Sequence, residues 1–372
     1  MTPRGTARPG PGPATDAPAR AADLLAGLRA AAPGASTVAL AVRRGGEDTV
    51  LVSGDTAWHG GTAADPDTRF EIGSLTKTFT ALLLAEMAAR GEVAHDDPIS
   101  RFLPRSAAPH LPGDRITLLH LATHTSGLPR LPPGFLRRGA PAWFSNPYAD
   151  YSPADLRRAL ARTRSRAAPG TRMRYSNFGA GLLGELLTRA VHGPVPADRV
   201  EEHFAALLAD RVLDPLGLTR TGCAPGGPQA TGFWHGRARP AWEMPALPAA
   251  GAVRSSPRDL LTVLGALLDP GAPPTLARTL RAALADVTTP RIALPRTGRR
   301  IALIWNIRPR PGHDLYHHSG GTRGFTTFAG FSPRTGVALA ALANTAPVLT
   351  GAFIQRAYLD LRALARAASA DG

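Results

Sequence analysis

Apolar and polar positions alternate with a period of two through "STVALAVRRGGEDTVLVSGD" (36–55), and the central Gly-Gly-Glu-Asp step predicts a β-hairpin. A short helix over about Ala19 to Ala31 precedes it. The period then changes. In "TKTFTALLLAEMAAR" (76–90) apolar residues recur at helical spacing and stop before Gly91, the pattern of a buried helix ended by glycine. From about 95 to 250 the chain is punctuated by proline and carries helical segments such as "LRRALART" and "FGAGLLGELLTRAV", which predicts a helical insertion. "SSPRDLLTVLGALLD" opens with Ser and Pro, a helix start. Strand patterns return in "RIALIWNI", "GFTTFAGF" and "GVALAALAN", the last two separated by a Ser-Pro-Arg-Thr turn. The closing "GAFIQRAYLDLRALARAA" has apolar residues at steps of three and four. Strands near both ends, helices between and a final helix predict an α+β fold, an α/β sandwich in which helices flank an antiparallel sheet.

With 372 residues, 44% of them hydrophobic, the chain can bury one large core shared by two lobes. We expect a disordered tail over 1–20, an α/β lobe from about 21–94 and 251–372, and a helical lobe from about 95–250. The first twenty residues hold no apolar segment, which argues against a secretory signal or membrane anchor, and no run reaches the roughly 18 apolar residues of a membrane helix. The single cysteine, Cys223, allows no intrachain disulfide, so a cytoplasmic location is the expectation. The formal charge of +15 raises the question of a polyanionic partner. The arginines are scattered, however, and the densest stretch, Arg162 to Arg174, has no interleaved aromatics, so no specific nucleic-acid partner is expected. A coding bias that exchanges lysine for arginine produces the same composition.

That bias sharpens one position. The chain holds 42 arginines and one lysine, Lys77, in "GSLTK". Ser74 lies three residues before it, so the two project from one face at the start of the predicted helix. A serine hydroxyl needs a base, and a lysine amine can serve if burial and nearby charge depress its pKa. Arginine cannot, because its guanidinium stays protonated. A helix N-terminus also favours the oxyanion of acyl transfer. A second group, Tyr175 and Asn177 in "MRYSNFGAGLLGELL", precedes another apolar helix: the phenol can relay a proton and the amide can hold a carbonyl, although both can equally form an ordinary helix cap. The third, His318, Ser319 and Gly320 in "YHHSGGTRGFTTFAGF", is read at the head of a strand whose glycines permit close backbone approach. His313, His317 and His318 lack an accompanying carboxylate or cysteine in ligand-like spacing, and 317 and 318 point to opposite faces of a strand, so neither a metal nor another cofactor is expected.

In order and spacing, SLTK, YSN and HSG resemble the active-site elements of the serine β-lactamase and penicillin-binding superfamily, in its branch of class C β-lactamases, D-alanyl-D-alanine carboxypeptidases and family VIII esterases. "LLHLATHTSGLP", "GAVRSSPRDLLTVL" and "GFSPRTGVALAALAN" extend the resemblance over roughly residues 36–365. It implies a β-lactamase/transpeptidase-like fold and a metal-independent serine hydrolase acting on a small ester, amide or peptide. Ser74 would be the acylated nucleophile, with Lys77 and Tyr175 sharing acid and base work. Asn177 would orient the substrate, and His318, Ser319 and Gly320 would line its site. Gly321 would supply an oxyanion-hole amide beside that of Ser74. Ser126 of "HTSG" would belong to a structural loop. Acyl transfer to another acceptor, or binding without turnover, would use the same residues. A largely neutral imidazole at 318, where the lactamases carry lysine, points toward esterase, amidase or D,D-peptidase chemistry rather than efficient β-lactam hydrolysis.

Overall fold

The computed structural model describes residues 17–370 except 109, 112–113, 166, 195, 197–198, 272–274 and 296. The predicted tail over 1–16 lies outside the described residues, while 17–20 already belong to helix α1 (Ala17–Ala30). Strands β1 (Thr37–Arg44) and β2 (Glu47–Gly54) form the predicted hairpin. Its turn is shorter than the four residues expected: Gly45 and Gly46, both at positive φ, make it alone, and Glu47 and Asp48 are already paired in β2. β3 (Phe70–Glu71) leads through a 3-10 turn at Gly73–Leu75 into α2 (Thr76–Ala89), which stops before Gly91, at φ +76.

The stretch from 95 to 250 contains α3 (Leu118–Ala122), α4 (Phe135–Gly139), α5 (Pro153–Arg162), α6 (Asn177–His192) and α7 (Val200–Leu208), with only the small hairpin β4 (Phe233–Trp234) and β5 (Arg237–Ala238) as sheet among the described residues. β6 (Arg254–Ser255) returns the chain to β3. It is followed by α8 (Pro257–Leu268), capped by the Ser256 hydroxyl with Pro257 in the first turn, and by α9 (Arg278–Asp286). The chain ends with β7 (Ile292–Leu294), β8 (Arg299–Ile301), β9 (Asn306–Arg310), β10 (His313–Gly321), β11 (Thr326–Ser332), β12 (Val337–Ala343) and α10 (Ala352–Ala370).

Eight strands form one antiparallel sheet in the order β2-β1-β12-β11-β10-β9-β8-β7. This is the expected α+β architecture. Period-two alternation sorts the side chains. Val38, Leu40, Leu339 and Ala341 face the core under α1 and α10, while Ala39, Ala41, Ala340 and Leu342 face the opposite core. Both faces are therefore covered, and the small residues on the second let α8 lie close to the sheet.

Two strand expectations need correction. "RIALIWNI" is not one strand. It breaks after Ile301, Ile304 takes φ +68, and its N–H donates to Ala122 O at 2.9 Å, tying this corner to α3. His318, Ser319 and Gly320 lie at the end of β10 rather than at the head of a strand, because the strand starts at His313 after a turn at Gly312. No helix among the described residues is long and apolar enough to cross a membrane.

Candidate active site

Three chain segments converge at Ser74. The 3-10 turn carrying it is held by Gly73 at φ +50, and by the sheet edge: a Cβ on Gly73 would lie 2.6 Å from Gly321 O, and one on Gly320 would lie 1.9 Å from Ile72 O. Thr327 Oγ1 donates to that same Ile72 carbonyl at 3.0 Å. The glycines after His318 thus let β10 lie directly against the turn that carries Ser74. Glu71 fixes the neighbouring wall. Its buried carboxylate accepts from Trp242 N at 2.7 Å and from Thr322 Oγ1 at 2.8 Å.

Lys77 is fully buried, its Nζ 2.9 Å from Ser74 Oγ and donating to Ala250 O at 2.6 Å. Burial first, and the Arg130 charge second, hold its pKa well below the ordinary lysine value. On the other side Tyr175 OH donates to Ser74 Oγ at 2.7 Å, and burial pushes the phenol up to about 12. Those opposite shifts fit one another. The amine donates to Ala250 O and lies within hydrogen-bond reach of Ser74 Oγ, and the phenol donates to that same oxygen.

Asn177 is the first residue of α6, but the helix cap is Ser176, whose hydroxyl accepts from Gly179 N at 2.8 Å. The amide is therefore released from capping. Its Nδ2 donates to Tyr148 OH at 2.8 Å, and its buried Oδ1 has no hydrogen-bond partner among the described residues. His318 is buried, with its ring centroid 6.4 Å from that of Tyr175. Burial, the largest cause, lowers the pKa of this imidazole well below its ordinary value. Ser319, Gly320 and Gly321 continue along the same cleft, which measures about 790 Å³. Phe135, Trp143, Tyr148, Trp234 and Trp242 contribute its aromatic surface, and Arg130 and Arg323 its cationic one. Arg323 lies over the Trp143 and Trp234 rings, at 5.1 and 5.6 Å from their centroids.

Ser126 is buried and accepts from Leu128 N at 3.4 Å, away from the convergence on Ser74. His313, His317 and His318 do not gather with other ligands: no group of three or more His, Cys, Asp or Glu side chains with metal-holding geometry occurs among the described residues. His317 instead stacks on Phe328 and meets the Tyr358 ring edge-on, on the face of the sheet opposite His318.

Several residues at the site escaped sequence reasoning. His124 has φ +59, its Nδ1 accepts from Ser176 N at 3.3 Å, and its carbonyl accepts from Arg174 N at 2.7 Å, so it pins both ends of the Tyr175 segment. Burial lowers its pKa to about 3. The only local signal was a histidine in a polar run, "THTSG", between two apolar segments. Tyr148, Arg130 and the Ala250 carbonyl had none.

A family model described as "Beta-lactamase" matches residues 21–364. The chain is 31% identical over 232 residues to the D-alanyl-D-alanine-carboxypeptidase/endopeptidase AmpH of Escherichia coli (strain K12), covering 61% of this chain and 56% of that protein. It is 35% identical over 155 residues to a beta-lactamase of the same strain, covering 41% and 34%. It is 31% identical over 173 residues to Esterase EstB of Burkholderia gladioli, covering 44% and 40%. The matched regions thus span from about a third to just over half of these relatives.

Proposed function

The chain belongs to the beta-lactamase family of serine hydrolases, and from that premise we propose that it hydrolyses a small ester or amide through an acyl-enzyme on Ser74. The observation that carries this reading is the convergence of Lys77 Nζ and Tyr175 OH on Ser74 Oγ, at 2.9 and 2.7 Å. As Oγ attacks the carbonyl carbon, its proton passes to the neutral Lys77 amine. The backbone amides of Ser74 and Gly321 stabilise the tetrahedral oxyanion. The proton then returns through Lys77 and the Tyr175 phenol to the leaving alkoxide or amine, and water repeats the sequence on the acyl ester.

Asn177 presents its unpartnered Oδ1 to the substrate, and His318 offers a neutral ring where a cation would pair with a β-lactam carboxylate. The aromatic walls favour an apolar acyl group, so neutral esters and amides are turned over faster than penicillins. Intact mass after a fluorophosphonate tests the assignment, with one adduct expected on the wild type and none on Ser74→Ala. An adduct that persists in Ser74→Ala rules Ser74 out as the nucleophile.

A further inference from the structure

We propose that the pocket between α4 and α5 is a binding site for a phosphate-type oxyanion, separate from the cleft. It has a volume of about 300 Å³, large enough for a phosphate group with a small substituent. Four guanidiniums line it, those of Arg137, Arg138, Arg158 and Arg162. One carboxylate faces them. Asp155 accepts from Arg158 at 2.6 Å and from Arg138 at 3.4 Å, while Arg137 and Arg162 have no ion-pair partner among the described residues. The excess positive charge is arranged as planar forks, the donor geometry that suits a tetrahedral oxyanion.

Tyr151 supplies the second observation. It lines this same pocket, only 2% of its surface is exposed, and its buried hydroxyl has no hydrogen-bond partner among the described residues. A buried hydroxyl left unpaired is costly in a native fold, and an oxyanion among the four arginines is the acceptor it lacks. Burial and the Asp155 charge raise the phenol's pKa, so it meets the ligand as a neutral donor. The pocket lies behind the cleft wall: Phe135 packs on Tyr151 and on Tyr148, with ring centroids 5.2 and 4.5 Å away.

Isothermal titration of the full chain with inorganic phosphate tests the site, alongside glycerol phosphate and vesicles of anionic phospholipid. These arms distinguish a free phosphate from a phosphate ester and from a lipid headgroup. Saturable binding to at least one probe is expected, weakened roughly tenfold or more in Tyr151→Phe and in Arg162→Gln, the loss typical of a hydrogen bond or charge contact to an ion. Arg20→Gln on α1 and Arg323→Gln in the cleft remove the same charge elsewhere and should leave affinity unchanged. The site is overturned if no probe binds saturably, if Tyr151→Phe and Arg162→Gln bind as wild type, or if Arg20→Gln or Arg323→Gln weakens binding equally.

Discussion

Under α1 and α10 the sheet is packed with Leu40, Phe328, Leu339 and Leu361, each at most 1% exposed. Where α2 begins against β10, on the other side, Lys77, His124 and His318 are almost as deeply buried, at 0, 3 and 4%. Equal burial does opposite work in the two places. Removing apolar surface from water stabilises the first region. In the second, the same removal of water destabilises the charged forms of an amine and two imidazoles and lowers their pKa values. The first region therefore supplies stability that offsets the cost of burying a lysine beside a serine.

The sharpest way to break this contrast is Lys77→Arg. It keeps a long basic side chain that cannot lose its proton, so kcat/KM on a nitrophenyl ester should fall by roughly 10²- to 10⁴-fold. A rate within a few-fold of wild type would mean that proton transfer does not pass through Lys77. Leu361→Ala probes the other region. The leucine's Cδ2 fills the notch over Gly330, where an added Cβ would lie 2.6 Å from it, so truncation opens a cavity and should cost about 2–5 kcal/mol in denaturant unfolding. The folded fraction should keep its kcat, since the residue lies across the sheet from the cleft.

The smallest expected effect runs against intuition. Lys77→Met should abolish turnover yet raise the melting temperature at pH 7. The folded pKa of Lys77 is depressed, so between that value and the unfolded lysine value near 10.4 the unfolded chain holds a proton that the folded one does not. Wild-type stability must then rise with pH through that window, and the advantage of Lys77→Met should shrink toward pH 10. A gap constant with pH would show that Lys77 is buried as an ammonium.

The two regions also differed in how legible they were in the sequence. The sheet and its covering helices followed from periodicity, because a side chain's face is settled by its own position in a strand or helix. The closeness of Ser74 and Lys77 was equally plain, since a spacing of three residues at a helix start is set locally, and a lone lysine among 42 arginines drew attention to it. What remained hidden was set by contacts across the chain. Ala250 contributes a carbonyl, which every residue has, and Tyr148 reaches Asn177 from 29 positions away. The break at Ile304 depends on a hydrogen bond to Ala122 that no local pattern encodes.

Because Lys77 is the only lysine, protein grown with ¹³Cε-labelled lysine gives one side-chain signal that needs no assignment. Its chemical shift followed against pH reads the protonation state of the amine directly. The account predicts a midpoint well below 10.5. A single titration centred near 10.5 would contradict it.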